Sequence, residues 1–489
     1  MRAKTGYAKA HPRRHIARQF PTKLYLCAIN SYVIDCALGK TLLWWHSIGS
    51  LEGEDRDMAK KAGDYVERPG RKFGDDPVTI PVPEDLMSEP GIPQRDRDVS
   101  FFSREYPLEN MAIEESASAE WSREERERFT PESIEFFNEH YETMEPIVEW
   151  VRTSGELEPI GTPTDEDVTE LIRQKALELG YGEVGFTRND PHYVYNTRKP
   201  EIRKDLPHAI CLALEQDYRK TQTIPSMEAE DTHFGTYADQ GPLTMELTEF
   251  IRTLGYNVQV SGPTWHYGPM IPMFVAAGLG QLGANGQLLS PHFGSRARLQ
   301  IVYTDANVTY DEPIDYGIHK FCQECKVCVD RCPGRALMPD KVWYRGVEKN
   351  KLVFKRCRPV MTRYEGCGVC MKVCPIQKYG MKPVMEHYIA TDGEILGKGT
   401  DNLEGFELSD KGYFGPGKLP SFKRDFFDMP HGRAEDWILM EFRNKLMENK
   451  VKNGDGENED LMWEDFRSKM EESLEGREVS VDMGMDRGI

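Results

Sequence analysis

The sequence predicts an α+β protein in which a mixed helix–strand domain leads into a small cysteine-rich cluster domain. Two observations carry this. Between residues 160 and 305, apolar residues at helical spacing alternate with short apolar runs of strand length. Beyond them, eight of the 11 cysteines fall between positions 322 and 374, most in C-x2-C steps. The expected division is an N-terminal extension over 1–130, the α+β domain over 131–315, the cysteine domain over 316–385 and a wrapping C-terminal segment with helices over 386–489.

Residues 51–130 are charged and proline-rich and read as an arm lying on a surface rather than as a second core. Thr130-Pro131 is a helix cap with proline at the first helical position. Ile134, Phe137, Tyr141 and Met144 follow at helical spacing and are expected to pack in the core. A helix from Asp165 should bury Val168, Leu171, Ile172 and Ala176 and stop at the left-handed Gly180 of a Leu-Gly-Tyr triplet. Strands are expected over 183–186 and 209–214. Leu243, Leu247, Phe250 and Leu254 repeat the helical face, a second Leu-Gly-Tyr ends it, and strands over 257–260 and 299–304 follow. The recurrence of helix, Leu-Gly-Tyr and strand suggests an internal pseudo-duplication. Further on, 393–405 reads as loop, and two helices are marked by Ile438, Phe442 and Leu446 and by Met462, Phe466 and Met470.

The chain of 489 residues is 39% hydrophobic, enough for a buried core, and carries a formal charge of −19, which disfavours nucleic acid and anionic membranes as partners. Cys27, Cys36 and Cys211 are scattered, so no disulfide framework is expected and a reducing cytoplasm is. Arg13-Arg14 precedes a moderately apolar run over 24–38, the outline of a twin-arginine export signal. Asn30 and Asp35 interrupt that run, no small-residue cleavage site follows, and it is too polar to span a membrane. The expectation is a retained extension on a cytoplasmic protein without an integral membrane segment; export through an atypical twin-arginine signal is the alternative.

Cys322, Cys325, Cys328 and Cys332-Pro333 form C-x2-C-x2-C-x3-C-P, and Cys367, Cys370 and Cys374-Pro375 form a second array behind Cys357. This resembles the bacterial ferredoxins, in which the fourth cysteine of each run ligates the other cluster. The resemblance implies one [4Fe-4S] cluster on Cys322, Cys325, Cys328 and Cys374, and another on Cys332, Cys367, Cys370 and, across a stretched spacer, Cys357. If Cys357 is not a ligand, the second cluster is three-iron or takes a non-cysteine ligand. Structural zinc also uses C-x2-C pairs, but needs neither the third cysteine nor the C-P ending, twice over.

Other motifs mislead. GLGQLG over 278–283 matches a dinucleotide fingerprint by letter but follows an apolar helical run instead of a strand. GKGT over 397–400 lacks the spacing of a phosphate loop. Asp190-Pro191-His192 lacks the glycine of D-x-H-x-x-G, so no histidine ligand to a corrinoid is expected from such a motif.

The stretches TYADQGPLTMELTEFIRTLGY (236–256) and PMIPMFVAAGLGQLGANGQLLSPHFGSRARLQIVYTD (269–305), followed by the cysteine arrays, resemble the reductive dehalogenases and, more distantly, the epoxyqueuosine reductases. The resemblance runs from about 160 to 390. It implies a nitroreductase-like corrinoid-binding domain, holding a cobamide (cobalamin, base-off), followed by a bacterial-type two-cluster [4Fe-4S] ferredoxin domain. Electrons from an external donor (a ferredoxin, a flavodoxin or a reductase) would pass from outer to inner cluster and reduce cobalt to Co(I). An organohalide, possibly a halogenated phenol, would lose halide. Tyr237 matches the proton-donating tyrosine. A phenol with a pKa near 10 is a poor acid alone, so a neighbouring cation is expected. Arg298 matches that role, with Arg296 as rival, and His266 stands where relatives place a polar residue facing cobalt. The loop with Gly283, Asn285 and Gly286 is expected to approach the corrin, glycine permitting backbone contact. The alternatives are an epoxyqueuosine-reductase-like or other corrinoid-dependent reductase, and a non-enzymatic ferredoxin-like carrier.

Overall fold

A computed structural model describes residues 80–87, 131–195, 198–262, 265–344, 347–352 and 354–418, with Pro420 and isolated positions from 445 to 468. The helices expected around Phe442 and Phe466 fall largely outside the described residues, as do the paired arginines, Cys27 and Cys36. Among the described residues no helix is long and apolar enough to cross a membrane.

Helix α1 (Pro131–Thr153) begins at the predicted proline. Its buried stripe lies later than expected: Met144, Ile147 and Val151 are buried, whereas Tyr141 is 60% exposed. The later residues are the ones that reach the helix running alongside. Helix α2 (Thr169–Leu179) starts four residues after Asp165, because the Asp167 side chain accepts from the Thr169 amide at 2.8 Å and opens the helix there. Val168, Ile172 and Ala176 are buried, while Leu171 faces solvent. Gly180 ends the helix at φ 111° and Gly255 repeats the device at φ 94°, conformations that cost glycine nothing sterically.

The chain then runs through β1 (Glu183–Arg188), β2 (His208–Glu215), α3 (Tyr218–Gln222), α4 (Met227–Thr253), β3 (Val258–Ser261) and α5 (Ile271–Ala276), through a short hairpin of β4 (Gln281–Leu282) and β5 (Leu288–Leu289), and into β6 (Ala297–Thr304). Four strands form one antiparallel sheet in the order β1-β2-β6-β3. The two strands that follow the Leu-Gly-Tyr stops are its two edges, which is what an internal duplication would give.

Alternation along the inner strands separates two cores. Ile210, Leu212, Val260 and Val302 face α1, α2 and α4. Cys211, Ala213, Ile301 and Tyr303 face the opposite way, with Phe274 and Phe293. Each such side chain withdrawn from water contributes roughly 1.5–3 kcal/mol, and the two-sided sheet is held by that burial. GLGQLG leaves α5 and enters the β4–β5 hairpin, not a helix N-terminus, in keeping with its rejection as a dinucleotide site.

The cysteine region follows as α6 (Ile318–Cys325), α7 (Val327–Asp330), the hairpin β7 (Leu337–Tyr344) and β8 (Val347–Leu352), α8 (Phe354–Arg363), α9 (Val369–Lys372), α10 (Pro375–Tyr379) and α11 (Met381–Ala390). It packs closely on the sheet domain. A Cβ at Gly294 would lie 2.4 Å from the Gln377 backbone, Lys372 Nζ donates to the Ile224 carbonyl at 3.0 Å, and the Tyr218 hydroxyl donates to the Lys378 carbonyl at 3.0 Å. In the described part of the N-terminal stretch, Leu86 is fully buried beside Gly317, and the Asp85 carbonyl accepts from Lys320 at 3.1 Å.

Leu247 is fully buried where α4 meets the sheet. Leu247→Ala is expected to lower the unfolding free energy by about 2–5 kcal/mol, read as a shift of the urea midpoint. An unshifted midpoint would mean that this face of the sheet contributes little.

Candidate redox and substrate site

Soft thiolate ligands must come together in groups large enough for a cluster, and two such groups form. Cys322, Cys325, Cys328 and Cys374 line one cleft, together with Ala284, Asn285, Phe321 and Lys326. This is the expected first set. Cys332 and Cys367 lie close enough to Cys370 that negative charge on any one opposes ionisation of the next. They are three of the expected second set. Cys357 is half-buried on α8. That helix crosses the loop just after Cys332: Arg356 donates to the Arg335 carbonyl at 3.3 Å, and the Arg356 carbonyl lies 2.7 Å from a Cβ placed on Gly334.

Burial dominates the chemistry of these thiols. It pushes Cys322 up to about 11 and Cys367 and Cys374 up to about 12, and it raises Cys325, Cys328, Cys332 and Cys370 as well. Backbone N–H groups are aimed at the sulfurs; Ala336 donates to Cys332 Sγ at 3.2 Å. Lys341 and Lys398 act on Cys322 and Cys325, yet burial still dominates, and buried sulfur with amide donors fits ligation by iron, which would supply further positive charge. Among the described residues no three His, Cys, Asp or Glu side chains are arranged to hold a single metal ion.

A second chemistry gathers on α4 and β6. Even positions of β6 face α4, so Arg298 meets Tyr237: its guanidinium lies over the phenol ring at 4.8 Å. Arg298 makes no ion pair among the described residues, and its buried Nε has no hydrogen-bond partner. The rival Arg296 is committed elsewhere. It is 1% exposed, pairs with Glu215 at 2.5 Å and donates to the Gln216 carbonyl at 2.7 Å. Arg298 is therefore the cation beside Tyr237.

His266 follows β3, whose last residue Ser261 pairs with Ile301, so its loop leaves the sheet at the Arg298 end of β6. Its Nδ1 is buried without a partner. Burial, reinforced by the nearby Arg198, lowers its pKa to about 4, making it a neutral imidazole at neutral pH. Trp265, beside it, is clamped between Arg198 at 3.7 Å and Arg152 at 4.6 Å. Asp190 accepts from the His192 amide and bonds its ring at 2.6 Å.

The loop of Gly283, Asn285 and Gly286 joins β4 to β5, with Gly286 at φ 76°. Asn285 lines the cleft of the first cysteine group; the loop's contacts run to Gln287, Leu289 and that cleft, not to Tyr237 or Arg298. Sequence reasoning missed two residues on α4. His233 lies 5.4 Å from Tyr237 ring to ring and pairs with Glu230 at 3.1 Å, and the Glu230 carboxylate reaches within 2.4 Å of a Cβ placed on Gly366, beside Cys367. The helical spacing 230, 233, 237 would have found them. Gln377 was missed too: it is fully buried, and both its amide atoms lack partners.

With Asn285 Nδ2, Gln287 Oε1, Ser295 Oγ, Arg298 Nε and His266 Nδ1, that makes a set of buried polar atoms without partners. Leaving such groups unpaired is costly. A cofactor rimmed with amides, as a cobamide is, carries donors and acceptors of the kind these atoms lack.

No family model matches the chain. Over 219 residues it is 37% identical to the tetrachloroethene reductive dehalogenase of Desulfitobacterium hafniense, covering 36% of this chain and 39% of that protein. It is 33% identical over 252 residues to the epoxyqueuosine reductase of Lactococcus garvieae (strain Lg2), covering 44% of this chain and 70% of that one. Among solved structures, the catabolic reductive dehalogenase NpRdhA superposes with a TM-score of 0.51 at 22% identity, over 62% of this chain and 46% of that one, a likeness of fold alone. The chain is thus similar to reductive dehalogenases over part of their length and to an epoxyqueuosine reductase over more than two thirds of its length. It spans less than two thirds of the length of the curated dehalogenases it matches.

The two arginines of β6 should separate on substitution. Arg296→Met removes the partner of Glu215 and is expected to lower the thermal midpoint by several degrees. Arg298→Met should shift the midpoint less, since no ion pair among the described residues is broken and no partner is left with an unpaired charge. Equal shifts in calorimetry would contradict the division of roles.

Proposed function

We propose that the chain is a cobamide-dependent reductive dehalogenase that replaces halogen by hydrogen on an organohalide, R–X + 2 electrons + H⁺ giving R–H + X⁻. The observation that carries the reading is the unpaired Arg298 guanidinium stacked on Tyr237, at one end of a sheet whose other contacts lead to two groups of buried thiols. In this reading residues 131–315 form a nitroreductase-like corrinoid domain, 316–385 a ferredoxin-like domain with two [4Fe-4S] clusters, and 386–489 a wrapping segment.

When bound, the cobamide would supply the electron-rich metal that breaks the carbon–halogen bond. Asn285, Gln287, Ser295 and Gln377 would hold its polar rim, base-off, since no histidine is supplied by a D-x-H-x-x-G motif. The first cluster would use Cys322, Cys325, Cys328 and Cys374. The second would use Cys332, Cys367, Cys370 and Cys357. Tyr237 donates the proton through its hydroxyl. Arg298 stabilises the negative charge left on the ring and attracts the substrate's polar or anionic end, which favours a halogenated phenol or a similar aromatic. His266, being neutral, acts as a hydrogen-bonding group toward the site instead of a standing acid. The protein works in the cytoplasm with an external electron donor.

A second reading, an epoxyqueuosine-reductase-like enzyme, is favoured by the 70% coverage of such a protein. The charge of −19 opposes it, because transfer RNA is held by lysine and arginine contacts to phosphate.

Tyr237→Phe is expected to keep iron, sulfide and corrinoid content while losing about 100-fold or more in halide release, followed by ion chromatography on halogenated phenols. Full activity would place the proton elsewhere. Release of no halide by the loaded wild type, alongside conversion of epoxyqueuosine, would overturn the first reading in favour of the second.

A further inference from the structure

Charge is distributed unevenly along this acidic chain. Residues 316–385 carry 15 Lys and Arg against 5 Asp and Glu, a net +10 within a total of −19. With so many cations in the module, their number distinguishes little between the two cysteine groups; the charges fixed at each group do. One short loop from outside the module reaches both groups. It contains GKGT, rejected above as a phosphate loop, and ends in the helical turn Asp401–Glu404. Gly397 and Gly399 stand at φ 77° and 79°, and a Cβ on Gly397 would lie 2.5 Å from the Tyr379 hydroxyl. Glycine therefore gives the loop a shape and a seat that other residues would disturb.

That shape holds two opposite charges apart. At one end, Lys398 Nζ donates to the Cys325 carbonyl at 2.8 Å, which brings an ammonium to the first group and favours negative charge on the Cys325 sulfur. Lys341, in the cleft on Cys322, acts in the same sense. At the other end, the buried Glu404 carboxylate accepts from the Gly399 amide at 2.6 Å and lies 3.8 Å from Arg331 Nε. The Glu404 carbonyl also accepts from Arg331 Nη2 at 3.3 Å. Arg331 precedes Cys332 of the second group, and Glu404 offsets the charge it would otherwise present there. Each contact has a structural use as well, since Lys398 closes the C-terminus of α6 and Glu404 pairs a buried guanidinium. Those uses do not account for one loop supplying a cation to one group and neutralising one at the other.

We propose that the 397–404 loop sets the two clusters a step apart in potential, making the first easier to reduce and the second harder. The inference rests on the reading of the two cysteine groups as clusters. An electron delivered by a reduced one-electron carrier then leaves the second cluster, which is oxidised, for the first, which is reduced; no atom or proton moves. It comes to rest beside Asn285, on the loop assigned above to the cofactor's rim.

The test is a redox titration of the reconstituted protein followed by electron paramagnetic resonance, with Cys322→Ala and Cys367→Ala assigning the two signals. Lys398→Met should make the first cluster about threefold to tenfold harder to reduce, tenfold being about 59 mV for one electron, and leave the second where it was. Lys398→Arg, which keeps the charge and a donor, should keep the wild-type potential. Lys398 is exposed, so the difference between Lys398→Met and wild type should shrink as salt is added. Loss of a helix cap alone would lower the thermal midpoint without a salt-dependent change of potential. Glu404→Gln should make the second cluster easier to reduce; if that variant fails to fold, the Lys398 pair decides. Arg356, at the second group, acts in the opposite sense but is common to every variant and drops out of the comparison. Equal first-cluster potentials in wild type, Lys398→Met and Lys398→Arg would overturn the proposal, as would assembly of fewer than two clusters. Shifted potentials without halide release from any substrate would leave the ordering standing and remove the dehalogenase reading.

Discussion

The rest of this structure depends on burying anionic sulfur. Seven thiols of the cysteine region are pushed up by desolvation, and to hold a metal they would nonetheless have to be thiolates. A chain can hold such groups only if metal charge and aimed amide dipoles compensate what water no longer does. That explains the local backbone. The helices around the cysteines are short and separated by left-handed residues, among them Lys326 at φ 50°, Arg335 at 48° and Cys367 at 55°. Such turns cost non-glycine residues energy, and here they direct successive N–H groups toward sulfur.

The substrate side follows from a different constraint, the alternation of one strand. Residues 298, 300 and 302 of β6 face α4, whereas 299, 301 and 303 face α5 and the hairpin. Gln300 meets Tyr181 and Thr244 in a buried network on that face, and Val302 fills the core beyond it. Arg298 is thus the position where the face turned toward α4 ceases to be core. Arg296, two residues earlier, has run past the helix and is taken by Glu215. A shift of one residue in register would have exchanged Arg298 for an apolar neighbour. The Tyr237–Arg298 pair is as precise as the sheet pairing.

Much of this was legible in the chain. The Leu-Gly-Tyr stops carried the two helix ends and the edge strands, because a positive φ after an apolar face has few other uses. The cysteine spacing carried the first group outright, since C-x2-C-x2-C fixes three ligands within two short turns. What stayed illegible depended on packing. Tyr141 has the right spacing for a core face, but α1 meets its neighbour only from Met144 onward. The choice between Arg296 and Arg298 needed the position of Glu215, 81 residues away. That the glycine loop also lies against the first cysteine group, because the β4–β5 hairpin folds back on α6, is a tertiary fact with no local signature. Glu230 and His233 were visible as helical neighbours of Tyr237, yet only their approach to Gly366 gives that row a direction toward Cys367.

The partition of charge joins these constraints. Anionic clusters of the proposed kind inside a protein of net −19 would cost more to reduce, because each added electron would meet a field already negative. A surrounding module of net +10 offsets that field locally, and the buried Arg331 and half-buried Lys372 do so at short range, where screening by water is weaker. A uniform acidic surface would make reduction harder; a uniform basic one would attract nucleic acid and anionic surfaces without discrimination. Confining the positive charge to the cysteine module avoids both.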